Sequence, residues 1–298
     1  MTIHPASGIR HLTSPRILIQ GMTGREGSRM ARWMIASGAN VVAGVTPGKG
    51  GQEVEGRPIF NSVKEAPQAD VSCIVVPSAH VLSAVRDALE ADIRFVYVLT
   101  ENVSLHDAVD IRRLAKGKDA ILFGPASVGF LRFPDVRIGY VGGEKPFSGQ
   151  IREGDIAVIS TSGGMTNELM AALSRAGFGI RLAIAVGGGQ VVGTSLSEAV
   201  AIAEADPDVA RLALFVEPGQ PILRELERGW RPSKPFALML PGVALDALPR
   251  GLPYGHTGTI LGEDEPSVAE QRSRLVARGI TVAASVPAFV SLFTEDII

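Results

Sequence analysis

The sequence has 298 residues, of which 46% are hydrophobic and 20% charged, and its formal net charge is −2. This composition is typical of a globular protein with room for two domains, while the nearly neutral charge and only 5% aromatic residues argue against a nucleic-acid-binding surface. A single cysteine, Cys73, excludes a disulfide framework and favours the cytoplasm. From the apolar pattern we expect neither a signal peptide nor a membrane span, which needs about 20 apolar residues.

Short apolar strands alternate with helical patterns along the first half of the chain. The sequence predicts strands at 16–20, 40–45, 71–76, 95–99 and 120–123, with helices at 28–37, 79–91 and 105–116. Strands separated by helices of this length are typical of βαβ units around a parallel sheet. The predicted fold class is therefore α/β.

A stretch rich in glycine, proline and charge, residues 130–154, separates this half from the next. We expect a short hairpin there and place the domain boundary between 145 and 146, which gives domains 1–145 and 146–298. The pattern then restarts, with strands at 155–159, 182–186, 212–216, 236–240 and 280–283 and helices at 167–175, 195–205, 222–229, 266–278 and 286–293. The second domain is therefore also predicted to be α/β.

Glycines 21, 24 and 27 follow the first strand with the spacing G-x-x-G-x-x-G, a variant of the dinucleotide-binding fingerprint. Backbone N–H groups at such a turn suit an anionic phosphate, although a tight turn without a ligand is the plain alternative. The second strand ends in Val45-Thr-Pro-Gly-Lys-Gly-Gly51, which lacks the acid that NAD requires. Lys49 suits an extra phosphate, as on NADP or coenzyme A, unless it is an ordinary surface lysine.

A second anion site is predicted where Ser160-Thr-Ser-Gly-Gly-Met-Thr166 joins a strand to a helix. Small hydroxyl residues and glycines leave helix N–H groups bare for a phosphate, and simple N-capping is the alternative. His256 lies in a glycine-rich loop, and Glu217 follows the strand 212–216. A histidine nucleophile for a phosphoryl group needs exposure, a carboxylate to fix its tautomer and donors for the phosphate. These segments offer all three, with an ordinary surface histidine as the alternative.

Two other kinds of site are not expected from the sequence. The remaining histidines, at positions 4, 11, 80 and 106, form no cluster with metal-ligand spacing. No G-x-x-x-x-G-K-[ST] motif is present, so we expect no complete nucleoside-triphosphate site on this chain.

Five motifs in one order resemble the α subunit of succinyl-CoA synthetase and related nucleoside-diphosphate-forming acyl-CoA ligases. They are Thr23-Gly-Arg-Glu26, Gly44-Val-Thr-Pro-Gly-Lys-Gly-Gly51, Ser160-x-Ser162-Gly163, Gly187-Gly188 and Gly255-His-Thr-Gly258. The resemblance covers roughly residues 15–295, and its second and fifth motifs are specific in combination. It implies a Rossmann-like CoA-binding domain followed by a flavodoxin-like ligase domain, both with mainly parallel sheets.

The resemblance also implies a mechanism and a set of site residues. His256 would become a phosphohistidine oriented by Glu217, and Ser162 with Gly163 would start the helix that receives the phosphate. Coenzyme A would be held by the residues that match the family's binding positions: Thr23, Gly24, Arg25, Glu26, Lys49, Leu99, Thr100 and Glu101. A separate β subunit with an ATP-grasp fold would bind ATP or GTP with Mg²⁺. The phosphoryl group would pass from the nucleotide to the histidine and then to a carboxylate, whose acyl phosphate the CoA thiol attacks.

The sequence departs from this family mainly around the acyl side. Gly124-Pro-Ala-Ser-Val-Gly129 stands for Gly-Pro-Asn-Cys-Pro-Gly, Gln190 for the aspartate of Gly-Gly-Asp, and Val216-Glu-Pro-Gly-Gln220 for Gly-Glu-Ile-Gly-Gly. Asn167 stands where a tyrosine often lies near the acyl substrate. The sequence therefore predicts the α subunit of an acid–thiol ligase for a small carboxylate, such as a dicarboxylic or hydroxy acid. A non-catalytic CoA-binding subunit and an NADP-dependent oxidoreductase are the alternatives.

Overall fold

The structure is a computed structural model that describes residues 12–146, 149–254 and 259–295, with only the backbone described at 253, 254, 259 and 260. The first half contains the strands β1 (Ile17–Gln20), β2 (Val41–Val45), β3 (Glu53–Val54), β4 (Arg57–Phe60), β5 (Val71–Ile74), β6 (Phe95–Val98) and β7 (Ile121–Phe123). Its helices are α1 (Arg25–Ala36), α2 (Val81–Glu90), which follows a 3₁₀ turn at Ser78–His80, and α3 (Leu105–Gly117).

The second half begins with the strands β8 (Gly129–Arg132) and β9 (Val136–Gly139). Further strands are β10 (Glu153–Ser160), β11 (Ile180–Ala185), β12 (Arg211–Phe215), β13 (Phe236–Met239), β14 (Pro253–Tyr254), β15 (Thr259–Ile260) and β16 (Val282–Ala283). The helices are α4 (Gly163–Arg175), α5 (Leu196–Glu204), α6 (Pro221–Glu227), α7 (Val268–Ala277) and α8 (Val286–Thr294), with a 3₁₀ turn at Val243–Ala247.

The first sheet has the strand order β3-β4-β2-β1-β5-β6-β7 and is parallel apart from the β3–β4 pair. All residues of β1 and β5 are buried, as expected for parallel strands covered by helices on both faces. From β1 the chain first moves outward to β2 and later crosses to β5 on the other side of β1. The carboxyl ends of β1 and β5 therefore form a topological switch point, where open α/β sheets bind ligands.

The second sheet has the order β16-β13-β12-β10-β11-β8-β9. Its parallel strands, β11-β10-β12-β13-β16, follow the flavodoxin-like order 2-1-3-4-5. The hairpin β8–β9 adds an antiparallel edge through pairing of β8 with β11. The α/β class and the sequence of a Rossmann-like and a flavodoxin-like sheet are thus confirmed, and the second switch point lies between β10 and β12.

The expected hairpin is present, but it pairs with the second sheet although it precedes residue 146. It also packs on the first half, because Gly139 N donates to Met34 Sδ (3.4 Å) and Arg137 Nη1 donates to Trp33 O (3.2 Å). By sheet pairing, the chain passes from one half to the other within residues 124–128. A boundary at 145/146 between independently folding domains stays a prediction.

Two predicted helices begin too late because glycines were assigned to the turns. Helix α1 begins at Arg25 rather than 28, and α4 begins at Gly163 rather than 167. Gly27 lies inside α1, where a Cβ would come within 2.2 Å of Gly21 O, so the third glycine of the motif allows the close approach of helix and turn. Strands β3 and β4 were missed; they are two and four residues long and are joined by Glu55-Gly56, both with positive φ.

Candidate functional site

Two adjoining clefts of about 600 and 510 Å³ open at the switch point of the first sheet. They share Gly24 and the segment 75–77, so together they form one elongated trough. The larger cleft is lined by Gly24–Gly27, Arg29, Val75–Pro77, Leu99–Glu101, Ala126–Val128 and Tyr140. The larger cleft therefore brings together six of the residues predicted to hold coenzyme A, namely Gly24, Arg25, Glu26, Leu99, Thr100 and Glu101.

The start of α1 provides the phosphate-binding geometry that the glycine motif predicts. Gly24 is the N-cap residue, with extended backbone (φ −74°, ψ 160°) and no side-chain cap bond. Its N–H donates to Gly21 O at 3.0 Å and fixes the turn. The N–H groups of the first helical turn have no partners inside the helix, and together with the helix dipole they suit an anion.

Three of the predicted residues follow strands of the first sheet: Thr23 follows β1, Lys49 follows β2 and Thr100 follows β6. Thr23 lines the smaller cleft, and its Oγ1 donates to Thr46 Oγ1 at 3.2 Å. Thr100 Oγ1 donates to Val76 O at 2.7 Å, which ties the end of β6 to the end of β5. Lys49 is exposed in the turn after β2 and is absent from the described residues that line the two clefts. A contact between Lys49 and an extra phosphate of the ligand therefore stays a prediction.

A cluster of charged and aromatic side chains, which the sequence did not predict, lies at the wall of the larger cleft. Tyr140 OH donates to Glu26 O at 2.5 Å, and Arg29 Nη2 lies 2.6 Å from Glu26 Oε2. Burial raises the pKa of the Tyr140 hydroxyl, so it is protonated and acts as a donor at neutral pH. Because Tyr140 follows β9, this cluster connects the second sheet to the start of α1.

The second predicted anion site lies at the start of α4. Ser162 N donates to Ser160 Oγ (2.9 Å), and Ser160 Oγ donates to Ser162 O (2.8 Å), which holds the loop in a closed turn. Ser162 is the N-cap residue, yet its side chain makes no cap bond. The alternative of simple N-capping is therefore wrong for Ser162, whose side chain leaves the N–H groups of Gly163 and the next residues uncapped.

Glu217 lies beside this helix start, at the end of the neighbouring strand. Glu217 N donates to Thr161 Oγ1 at 3.2 Å, and Thr161 N donates to Phe215 O at 3.2 Å. Glu217 is half-buried, with its Oε2 shielded from solvent. His256 lies outside the described residues, between β14 and β15. The described part of the site thus brings the predicted carboxylate and the predicted helix start together at the β10–β12 switch point.

A smaller cavity of about 200 Å³ lies next to Thr161. Its other lining residues include Gly187, Gly189, Gln190, Ser195 and Gln220. Arg112 reaches this cavity from α3 and donates to Val192 O (2.7 Å) and Gly193 O (3.1 Å), which holds the glycine-rich loop against the first half. The sequence did not predict this role of Arg112, because a helical pattern gives no information on a contact with a residue 80 positions away.

The two sites adjoin one another through one residue. Val128 lines the trough, and its Cγ1 would lie only 2.2 Å from a Cβ placed on Gly163, so it packs directly against the start of α4. Asn167 Oδ1 accepts a hydrogen bond from Gly142 N at 2.8 Å. The amide oxygen of Asn167 therefore holds the segment after β9, and its predicted contact with an acyl substrate stays a prediction.

Ser127, which stands at the cysteine position of the family motif, has a structural role. It is 2% exposed, its Oγ donates to Ala185 O at 2.6 Å, and it accepts from Gly129 N at 3.1 Å.

Among residues 12–146, 149–254 and 259–295 no three His, Cys, Asp or Glu side chains are grouped to hold a metal ion. In the same part of the chain no helix is long and apolar enough to cross a membrane.

Two family models match the chain. The CoA binding domain matches residues 13–102, and the CoA-ligase model matches residues 159–223. The ADP-forming sulfoacetate-CoA ligase subunit SauD of Bilophila wadsworthia is 32% identical over 276 residues, covering 90% of this chain and 92% of that protein. The malate–CoA ligase subunit alpha of Methylorubrum extorquens is 32% identical over 288 residues, covering 94% and 95%. The ADP-forming succinate–CoA ligase subunit alpha of Staphylococcus aureus is 30% identical over 273 residues, covering 91% and 88%.

Among solved structures, ATP citrate lyase from Methanothrix soehngenii in complex with citrate and coenzyme A has a TM-score of 0.81 and 22% identity. The match covers 96% of this chain and 51% of that chain, so this protein spans about half the length of the lyase. At this identity the likeness shows the fold alone. It agrees with a Rossmann-like half followed by a flavodoxin-like half.

Proposed function

We propose, from the premise that this chain belongs to the family of ADP-forming acyl-CoA ligase α subunits, that it joins a small carboxylate to coenzyme A through a phosphohistidine at His256. The names of the sulfoacetate and succinate relatives specify ADP formation, which supports ATP as the phosphoryl donor. They also name subunits, so a partner is needed, and we propose an ATP-grasp β subunit that binds the nucleotide with Mg²⁺. The relatives act on sulfoacetate, malate and succinate, and a small acid of this kind is the proposed substrate class.

The trough at the first switch point fits coenzyme A. Its length suits an extended ligand, and the uncapped start of α1 at Gly24 suits a pyrophosphate. In this proposal Thr23, Arg25 and Glu26 surround the phosphates, and Lys49 contacts the phosphate on the ribose. The residues Leu99, Thr100 and Glu101 line the path towards the second half. When bound, the coenzyme supplies the thiol of the thioester product.

The second switch point fits a phosphorylated histidine. In this proposal Glu217 would accept a hydrogen bond from one imidazole nitrogen of His256 and leave the other nitrogen free as the nucleophile. The N–H groups at Gly163 hold the phosphoryl oxygens, and Ser162 keeps the helix start open towards them. A covalent intermediate divides one difficult acyl activation into two phosphoryl transfers with lower barriers.

The observation that carries the proposal is that the trough and the α4 start adjoin through Val128. A ligase of this kind must bring the thiol end of the coenzyme to the carboxylate that the histidine activates. Separate sites on opposite faces of the molecule could not do this, whereas two switch-point sites that adjoin at one valine can.

Labelling with γ-³²P-ATP tests the proposal on the chain purified with its partner subunit. We expect one label that is lost in acid and stable in alkali, and that His256→Ala abolishes. Absence of label from the wild type, or its persistence in the variant, would overturn the phosphohistidine.

The two alternatives have less support. The relatives are ligase subunits that match over about nine tenths of this chain, which does not favour a non-catalytic CoA-binding subunit. Calorimetric CoA binding together with a failed labelling experiment would favour it instead. The match of residues 13–102 to a CoA binding domain also leaves the NADP-dependent oxidoreductase without support.

A further inference from the structure

The charges that line the larger cleft nearly cancel. Among the described residues that line it, Arg25 and Arg29 are cations, while Glu26 and Glu101 are carboxylates. A pyrophosphate bound at the start of α1 is strongly anionic, and a carboxylate in the same helical turn repels it. Glu26 therefore opposes the ligand that the uncapped helix start attracts, unless a nearby cation offsets it.

Arg29 is better placed than Arg25 to offset the negative charge of Glu26. Arg29 Nη2 lies 2.6 Å from Glu26 Oε2, whereas Arg25 Nε lies 3.5 Å from Glu26 Oε1. The Arg25 side chain is 93% exposed and the Arg29 side chain 52%, so solvent screens the charge of Arg25 more. Glu26 and Arg29 are also about one helical turn apart, at positions i and i+3, where side chains face each other.

Aromatic rings from both halves hold the Arg29 guanidinium in place. Its Cζ lies 5.2 Å from the ring centroid of Tyr140 and 5.7 Å from that of Trp33. The two rings meet edge to face, with their centroids 5.4 Å apart. Such contacts favour a fixed cation over a freely moving side chain. Because Tyr140 also donates to Glu26 O, the hairpin β8–β9 braces the cation and its carboxylate together.

We propose that Arg29 is a positioning residue for the coenzyme: it offsets the Glu26 carboxylate so that the start of α1 accepts a pyrophosphate. Its guanidinium acts through Glu26 rather than by touching the phosphates, since its closest contact is that carboxylate. The inference rests on the proposed function, because it assumes that the trough holds coenzyme A. It adds a residue from outside the glycine motif, braced by a tyrosine from the other half of the chain.

Calorimetric titration of CoA into the full chain with its partner subunit tests the proposal. We expect Arg29→Gln to weaken CoA binding about tenfold, because Glu26 is left uncompensated beside the phosphates. The double variant Glu26→Gln/Arg29→Gln removes both charges and is expected to bind CoA more tightly than Arg29→Gln alone. Arg29→Lys keeps the positive charge and is expected to lose less affinity than Arg29→Gln.

Arg32→Gln is the matched control, since Arg32 lies on the same helix but pairs with Glu55 (2.8 Å) and is absent from the described lining of both clefts. Its CoA affinity is expected to equal that of the wild type. Thermal melting of every variant checks that the helix and hairpin remain docked.

Coenzyme fragments separate the charge effect from a general loss of structure. Dephospho-CoA keeps the pyrophosphate and is expected to lose as much affinity as CoA in Arg29→Gln, whereas uncharged pantetheine loses none. Unchanged CoA binding in Arg29→Gln, a double variant that binds CoA no more tightly than Arg29→Gln, or an equal loss with pantetheine would overturn the inference. A wild-type chain that does not bind CoA would instead defeat the proposed function, and this inference with it.

Discussion

The two switch points of the molecule share one architecture but leave different spaces around it. In each, a strand runs into a short turn and then into a helix whose N-cap residue makes no side-chain cap bond, Gly24 in one and Ser162 in the other. Around α1 the neighbouring strand ends leave a long trough. Around α4 they leave a small cavity beside Thr161 and a shielded carboxylate, Glu217.

The difference shows how the turn sequence adapts one backbone geometry to two tasks. At α1, three glycines and nearby arginines leave an open helix start, which suits the large anionic ligand proposed there. At α4, the Ser160 side chain bonds to the backbone of Ser162 and tightens the turn, which suits the smaller phosphoryl group proposed there. We therefore predict that substitutions can impair the two sites separately. The largest effect is the loss of kcat expected for His256, and the smallest is the loss of CoA affinity expected for Lys49.

Loss of the histidine should stop turnover and leave the trough intact. We expect His256→Asn to lower kcat by at least about a thousandfold, because no other group takes over as the nucleophile. CoA affinity should equal that of the wild type when measured by calorimetry. His106→Asn is the control, because His106 is exposed on α3, and its kcat should not change. Equal loss of activity in both variants would mean that the histidine has no special role.

Obstructing the turn before α1 should weaken CoA binding and leave phosphorylation intact, which is the opposite of the result expected for His256→Asn. A Cβ in Gly27→Ala would lie 2.2 Å from Gly21 O, so the turn must open and CoA affinity should fall about fiftyfold or more. Phosphorylation of His256 should continue, since α4 is untouched. Gly117→Ala is the control, because nothing lies within 4 Å of the position that its Cβ would take, and its CoA affinity should not change. Parallel loss of labelling in Gly27→Ala would show that the sites are not separable.

Loss of the carboxylate should slow phosphorylation without preventing CoA binding. We expect Glu217→Gln to reduce the rate of label incorporation about thirtyfold, because an amide, which is neutral and can also donate, no longer fixes the imidazole tautomer as a carboxylate does. Rapid-quench labelling measures this rate. If Glu217→Gln phosphorylates as fast as the wild type, Glu217 does not act on the histidine.

The smallest effect concerns the extra phosphate of the coenzyme. We expect Lys49→Gln to weaken CoA binding about fivefold and to leave dephospho-CoA binding unchanged, because only CoA carries the ribose phosphate. Competition titration with both ligands measures the difference. A similar loss with dephospho-CoA would assign Lys49 to another part of the coenzyme.

Much of the fold followed from local patterns in the sequence. Apolar strands and amphipathic helices identified both sheets, because these periods are set by residues close together in the chain. The starts of α1 and α4 were wrong since the glycines at 27 and 163–164 lie in helical turns, where propensity alone disfavours them. The pairing of β8 with β11 depends on contacts made far along the chain, so the sequence did not predict which sheet receives the hairpin.

The candidate site divides in the same way. Its turns, with Gly24 and Ser162, follow strands and carry recognisable motifs, so the sequence identified them. The cluster around Arg29 was missed because Tyr140 lies 111 residues away and only tertiary packing joins the two side chains. Lys49 shows the reverse case, since its motif indicates a phosphate while its side chain is absent from the described lining of the trough.

The central claim is that His256 carries the phosphoryl group between the two parts of the reaction. The most direct measurement is ³¹P NMR of the intact complex after incubation with Mg²⁺-ATP and removal of nucleotide, followed by peptide mapping under alkaline conditions. We predict one phosphohistidine resonance, located at residue 256, that disappears when CoA and the carboxylate substrate are added together. No phosphorus signal on the protein, or a signal located on a serine or threonine, would contradict the claim.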